Sequence, residues 1–189
     1  MRETRATHPL VPLLAHPQSA SDAVRSVAAS VERVAADALR LQFVLEADLP
    51  RVLVPAPVQG GGRGDRLWAH TCFEAFVAAP DRPGYLELNF SPSGQWAAYG
   101  FDAYRAGMAP AELPETPDIT IRRGERQLEL QARVRLPAAG AWRLALSTVV
   151  EEGTGRLSYW ALRHPSGRPD FHHPESFSLE LESPRTPSP

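Results

Sequence analysis

Glu74, Glu87, Asn89 and Arg105 stand among Trp68, Tyr85, Trp96, Tyr99 and Tyr104, with Tyr159, Trp160 and Arg163 further along the chain. Sugar recognition needs this mixture. Flat aromatic faces cover the C–H faces of a pyranose, while carboxylates, amides and guanidinium groups exchange paired hydrogen bonds with its hydroxyls. Two carboxylates on adjacent strands could also serve glycoside hydrolysis, but nothing in the sequence marks either as raised in pKa, and binding asks for less.

The histidines form a second group. His70 is two residues from Cys72 and four from Glu74, which on a strand puts all three on one face, and RHPSGRPDFHHP adds His164, Asp170, His172 and His173. These types can bind a transition metal, yet the spacing matches no zinc signature, and histidines bonded to backbone would fix such a proline-rich loop without one. Cys72 and His70 also make a poor nucleophile pair. Residues two apart on a strand share a face without coming into hydrogen-bond reach, and no oxyanion-forming motif follows.

The elements that must position these residues read as strands. Cys72 to Ala78, Tyr85 to Ser91 and Gln95 to Phe101 are short runs separated by the turn segments APDRPG and SPSG, the pattern of three consecutive antiparallel strands. Alternation puts Phe73, Ala75 and Val77 on one face with Leu86, Leu88 and Phe90. Cys72, Glu74 and Phe76 then share the other with Tyr85, Glu87 and Asn89. That polar face is either a solvated exterior or a binding surface.

Elsewhere, Leu39, Leu41, Phe43 and Leu45 alternate as a half-buried strand. ITIRRGERQLELQARVRL reads as a hairpin turning at Arg123 and Gly124, and Ala141 to Glu151 with Arg156 to Arg163 as a second hairpin around EEGTGR. A final strand runs from Phe177 to Leu181. Residues 21–34 are ambiguous. Val24, Val27, Val31 and Val34 have helical spacing after a Ser-Asp cap signal, whereas Val27, Ala29 and Val31 would suit an edge strand, the reading that the neighbouring strands favour. Pro50, Pro55, Pro57 and the segment GGGRGD mark an irregular crossing and a surface loop.

Composition bounds the functions. All twenty basic residues are arginine, which excludes Schiff-base chemistry, pyridoxal-phosphate attachment and a phosphate-loop lysine. A net charge of -2 with dispersed basic residues argues against nucleic acid or an anionic membrane as partner. The lone Cys72 forbids an internal disulfide. The first residues lack the unbroken apolar run of a secretory signal, and no segment is long enough to cross a bilayer, so a cytoplasmic location is expected. A chain of 189 residues can bury about 70% of its unfolded surface as one domain. Its expected extent is 1–182, with a disordered tail at 183–189.

The segments LWAHTCFEAFV, YLELNFSPSGQWAAYGFDAYRAGM, LSYWALRHPSGRPDFHHP and FSLEL resemble the DOMON-like superfamily. That group of β-sandwich domains includes the family 9 carbohydrate-binding modules and haem-binding cytochrome domains. The chain looks most like bacterial DOMON-like proteins found fused to UDP-N-acetylmuramate dehydrogenase-like enzymes. The resemblance implies two ligand classes. Sugar-binding relatives sandwich a ring between tryptophans, for which Trp68, Trp96 and Trp160 are candidates by type, and some carry structural calcium. Haem-binding relatives hold iron with a methionine and a histidine or lysine; here that would be Met108 with one of His70, His164, His172 or His173.

The expectation is therefore an all-β, two-sheet antiparallel sandwich acting as a non-catalytic binding domain for a saccharide or cell-wall sugar. Trp96, Tyr99 and Trp160 would stack, Glu74, Glu87, Asn89 and Arg105 would bind hydroxyls, and Tyr85, His164 and His172 complete the predicted ligand set. No catalytic residue and no cofactor is assigned. A haem-binding electron-transfer domain and a module docking a partner protein are the alternatives.

Overall fold

The computed structural model describes residues 9–183, and the predicted tail lies outside them from position 184 onward. Its strands in chain order are β1 (Val11–Ala15), β2 (Val24–Ala35), β3 (Ala38–Ala47), β4 (Gly62–Arg63), β5 (Cys72–Ala78), β6 (Tyr85–Phe90), β7 (Gln95–Phe101), β8 (Ala109–Pro110), β9 (Asp118–Arg123), β10 (Gln127–Arg135), β11 (Trp142–Glu151), β12 (Leu157–Ala161) and β13 (Leu179–Leu181). Helix is confined, among the described residues, to single 3-10 turns such as Leu67–Ala69 and Pro174–Ser176.

The all-β expectation holds. The hydrogen bonding, however, does not divide the strands into two separate sheets. They follow one path, β4-β7-β6-β5-β11-β12-β1-β2-β3-β10-β9, with β8 added to β7 and β13 to β11. The hinge is β1, whose Val11, Pro12 and Leu13 pair with β2 and whose Leu14 and Ala15 pair with Ala161 and Trp160 of β12. Each half turns an apolar row onto the same core. Leu39, Leu41, Phe43 and Leu45 of β3 and Leu128, Leu130 and Val134 of β10 meet Phe73, Leu88, Phe90, Leu144 and Leu146 from the other half. The Phe43 and Phe73 rings lie 5.2 Å apart across the divide. Each fully buried Leu or Phe contributes roughly 1.5–3 kcal/mol, so the alternation in these strands suffices to hold the halves together.

Residues 24–35 are strand, paired with β3 along their length. A register shift between Val24 and Ser26 explains their helix-like spacing. One extra residue in a strand resets the alternation, so Val24 and then Val27, Ala29 and Val31 all reach the core. The glycine-rich loop is also more ordered than expected, since Gly62 and Arg63 add a short parallel pairing to β7. Gly61 has φ +59°, and a Cβ there would stand 2.6 Å from the Gly94 carbonyl oxygen, so this approach requires glycine.

Candidate functional site

The predicted division of faces on β5 and β6 is observed, but the polar face is not a solvated exterior. Glu74 sits opposite Asn89 and Glu87 opposite Phe76 across the β5–β6 ladder, and Glu74, Glu87 and Asn89 are 2%, 4% and 0% exposed. What covers them is loop. The segment after β12 folds back over this face and packs Phe171 and Phe177 against Phe76, Ala145, Val149 and Ala161. The segment after β7 closes one side, and Leu67 and Trp68 join Ala97, Tyr99 and Phe101. Between these covers lies a cavity of about 610 Å³. Glu74, Glu87 and His172 are its polar lining, Trp68, Phe101, Tyr159 and Phe171 its aromatic walls, and the exposed Arg105, Met108 and Arg168 also line it.

The covering loops are stapled together by Asp170. Its carboxylate accepts hydrogen bonds from the Arg105 guanidinium at 2.8 and 3.3 Å, from the Tyr104 hydroxyl and from the His172 backbone N–H. Burial acts to raise its pKa, but the Tyr104 and Arg105 hydrogen bonds outweigh it and hold Asp170 below its ordinary value. Arg105 adopts the left-handed conformation, φ 52°, which costs a non-glycine residue of order 1 kcal/mol or more. That turn aims the Arg105 backbone N–H at the Tyr85 hydroxyl, 3.3 Å away. Two residues on, Gly107 has φ +69°, and a Cβ there would run into the Asp102 carboxylate.

A polar chain follows from that N–H. The Tyr85 oxygen accepts from the Arg105 N–H, and the same hydroxyl is hydrogen-bonded to His172 Nδ1 at 2.8 Å. The other ring nitrogen, Nε2, faces Glu87 Oε2 at 3.7 Å. Burial first, and then the Arg105 charge, lower the His172 pKa to about 4, so the ring is neutral at physiological pH. Tyr85 itself is held by stacking on Phe101, 4.7 Å between centroids and 9° between planes.

The two carboxyls differ in support. Glu74 accepts one hydrogen bond, from the Ser147 hydroxyl at 3.1 Å, and Glu87 accepts one from the Asn89 amide at 2.8 Å. Burial pushes Glu74 well above the ordinary glutamate value, and the neighbouring Glu87 adds to the rise. Burial also raises Glu87, although its Asn89 hydrogen bond and Arg105 oppose the shift. The pair thus holds protons at pH values where a solvated glutamate is ionised.

Of the predicted site residues, Glu74, Glu87, Arg105 and His172 line one cavity. Tyr85 stands behind His172. Asn89 lies beneath Glu87, with Cys72 Sγ 3.7 Å from its Oδ1. Tyr99 is one layer back, edge-on to Trp68 at 5.2 Å, and its hydroxyl donates to Asp65 at 2.8 Å. Trp96 and Trp160 lie elsewhere. Trp96 pairs with Phe90 and Trp160 with Thr148, so both indoles belong to the core shared by the two halves. Period-two alternation decides this, because residues 96 and 99 of one strand cannot share a face, and Tyr159 takes the cavity side in place of Trp160. His164 bonds the Leu14 carbonyl at 2.8 Å and packs on His16 at 4.9 Å, away from the cavity.

Cavity residues that the sequence reading left out of the site are Ala69, Phe101, Val149, Leu157, Arg168, Pro169 and Phe171. The apolar ones on strands carry the same alternation as core residues, so only knowledge of the covering loops separates them. His70 is not on β5. It follows a 3-10 turn and bonds Glu151 at 2.6 Å, so it does not share a face with Cys72 and Glu74. Among the described residues no group of three or more His, Cys, Asp or Glu is placed to hold a metal ion. Met108 and His172 do line the same cavity, but a haem iron needs a ring nitrogen with a free lone pair. His172 Nδ1 is hydrogen-bonded to the Tyr85 hydroxyl at 2.8 Å and Nε2 faces Glu87 at 3.7 Å, so both ring nitrogens already face protein groups, which does not fit haem ligation.

No protein-family model and no curated protein sequence matches this chain. Solved structures do. A protein from Bacteroides uniformis ATCC 8492, described as a candidate carbohydrate-binding protein, is similar with a TM-score of 0.65 at 16% identity, over 89% of this chain and 83% of that one. A family 9 carbohydrate-binding module from Caldicellulosiruptor kristjanssonii, in complex with glucose, is similar with a TM-score of 0.53 at 11% identity, over 90% of this chain and 82% of that one. At these identities the likeness is one of fold, and this chain folds like these two structures.

Proposed function

We propose that this protein is a non-catalytic saccharide-binding domain of the DOMON-like group whose ligand occupies the cavity over the outer face of β5, β6 and β11. The observation that carries this reading is the composition of that cavity, in which the buried Glu74 and Glu87 carboxyls lie among the aromatic rings of Trp68, Phe101, Tyr159 and Phe171. Rings cover the apolar faces of a sugar and the carboxyls take its hydroxyls, and about 610 Å³ is a normal size for a small-molecule site. The shared fold with structures described as carbohydrate-binding supports the same reading.

Calorimetric titration of the purified protein with mono- and disaccharides tests it. A saccharide that binds the wild type and binds a Trp68→Ala variant at least about tenfold more weakly is the expected outcome. Failure of every sugar to bind would overturn the proposal. Release of nitrophenol from nitrophenyl glycosides, abolished by Glu74→Gln or Glu87→Gln, would replace binding with hydrolysis as the function of the same two carboxyls.

A further inference from the structure

The floor of the cavity is acidic and lacks a cation of its own. Glu74 is bonded by a hydroxyl and Glu87 by an amide, both neutral donors. The groups packed directly against them add no positive charge to the floor, and the cation whose field reaches Glu87 is the more distant Arg105. Cys72 of β5 lies fully buried beside Asn89, Tyr85 of β6 is engaged with His172, Ser147 of β11 and Tyr159 of β12 are uncharged, and His172 is neutral. Among the described residues lining the cavity the cations are Arg105 and Arg168. Arg105 is paired with Asp170 at 2.8 Å, and Arg168 is exposed to solvent, where its charge is screened.

Two buried carboxyls bonded only by neutral donors are costly to ionise, and the complement to such a floor is a compact cation with donors pointing both ways. The rings of Trp68, Tyr159 and Phe171 around it favour the same group, since aromatic faces attract ammonium ions. We propose that the cavity selects an amino sugar, with the free ammonium group placed between Glu74 and Glu87 and the sugar ring against the aromatic walls. This rests on the saccharide reading and narrows it. Binding then has a proton consequence. A carboxyl that holds its proton gives it up to solvent as the ammonium arrives, and the ammonium keeps its own.

The test is isothermal titration of the wild-type protein with glucosamine, glucose, N-acetylglucosamine and cyclohexylamine at about pH 6.5, repeated in two buffers of different ionisation enthalpy. Glucosamine should bind at least about tenfold more tightly than either neutral sugar, with a heat that depends on the buffer because a proton is released. The Glu74→Gln, Glu87→Gln double variant should lose that preference, binding glucosamine no more tightly than glucose and with a heat that no longer depends on the buffer. Glucose bound as well as glucosamine would overturn the amino-sugar assignment and leave the saccharide reading standing. Cyclohexylamine bound as tightly as glucosamine, with neither neutral sugar bound, would overturn the sugar class. No binding by any of the four would overturn both.

Discussion

Replacing Glu74 by glutamine will stabilise the folded protein at neutral pH and reduce the pH dependence of its stability. Glu74 is 2% exposed, and burial together with the Glu87 carboxyl raises its pKa well above the 4.5 of an unfolded glutamate. Between those values the folded protein keeps a proton that the unfolded chain has released. The unfolded state therefore binds fewer protons, and stability falls as pH rises through this window. One proton of difference corresponds to about 1.4 kcal/mol per pH unit, or roughly 3–6 °C of Tm per unit for a chain of this size. Glutamine keeps the shape, can accept from Ser147 and has no proton to lose. It also relieves Glu87, because the two carboxyls titrate as a pair.

His172 acts in the opposite sense. Its pKa is lowered from 6.5 to about 4, so between these values the unfolded chain binds the extra proton and stability rises with pH. That contribution is common to both proteins, and the difference between them isolates the carboxyls. Urea unfolding followed by tryptophan fluorescence from about pH 5 to 8 should show a gap that widens in favour of Glu74→Gln as pH rises. A gap independent of pH would refute the reasoning, as would a variant less stable than wild type throughout, which would mean that Glu74 is charged and paired in the folded state.

Three further outcomes are expected. Leu88→Ala, at a fully buried position where the two halves meet, should cost about 2–5 kcal/mol in urea unfolding, and a near-neutral result would place Leu88 outside the core. Trp96→Phe and Trp160→Phe should lower Tm and leave sugar affinity within about twofold, because both indoles lie in the core opposite the cavity; a tenfold loss of affinity in either would contradict that placement. Cys72 should resist iodoacetamide in the folded protein and react in urea, since burial raises the pKa of its fully enclosed thiol and alkylation requires an accessible thiolate.

Much of the framework was legible because it rests on local alternation. Cys72–Ala78 and Gln95–Phe101 are strands at the expected bounds. The hairpin at Arg123 and Gly124 pairs Ile121 with Leu130 and Ile119 with Ala132. β1 was not legible. VPLLA is short, contains a proline and exposes Val11 and Leu14 by 42% and 58%, so it carries no periodic signal. Its strand character comes from two partners distant in sequence, β2 and β12.

The candidate site divides along the same line. Residue types and period-two geometry by themselves determined that Glu74 and Glu87 share one sheet face with Tyr85 and Asn89, since a pleated strand leaves side chains only two directions. The same rule, applied to β7 and β12, already separates Trp96 from Tyr99 and Trp160 from Tyr159. Only the tertiary structure decided that this face is enclosed. The Asp170 pairing with Arg105 and the packing of Phe171 and Phe177 bring two loops over it. Such contacts join segments far apart in the chain and leave no periodic trace in the sequence. Their physical consequence is desolvation. It turns two ordinary glutamates into carboxyls that hold their protons and a histidine into a neutral ring, and no reading of residue types alone contains that change.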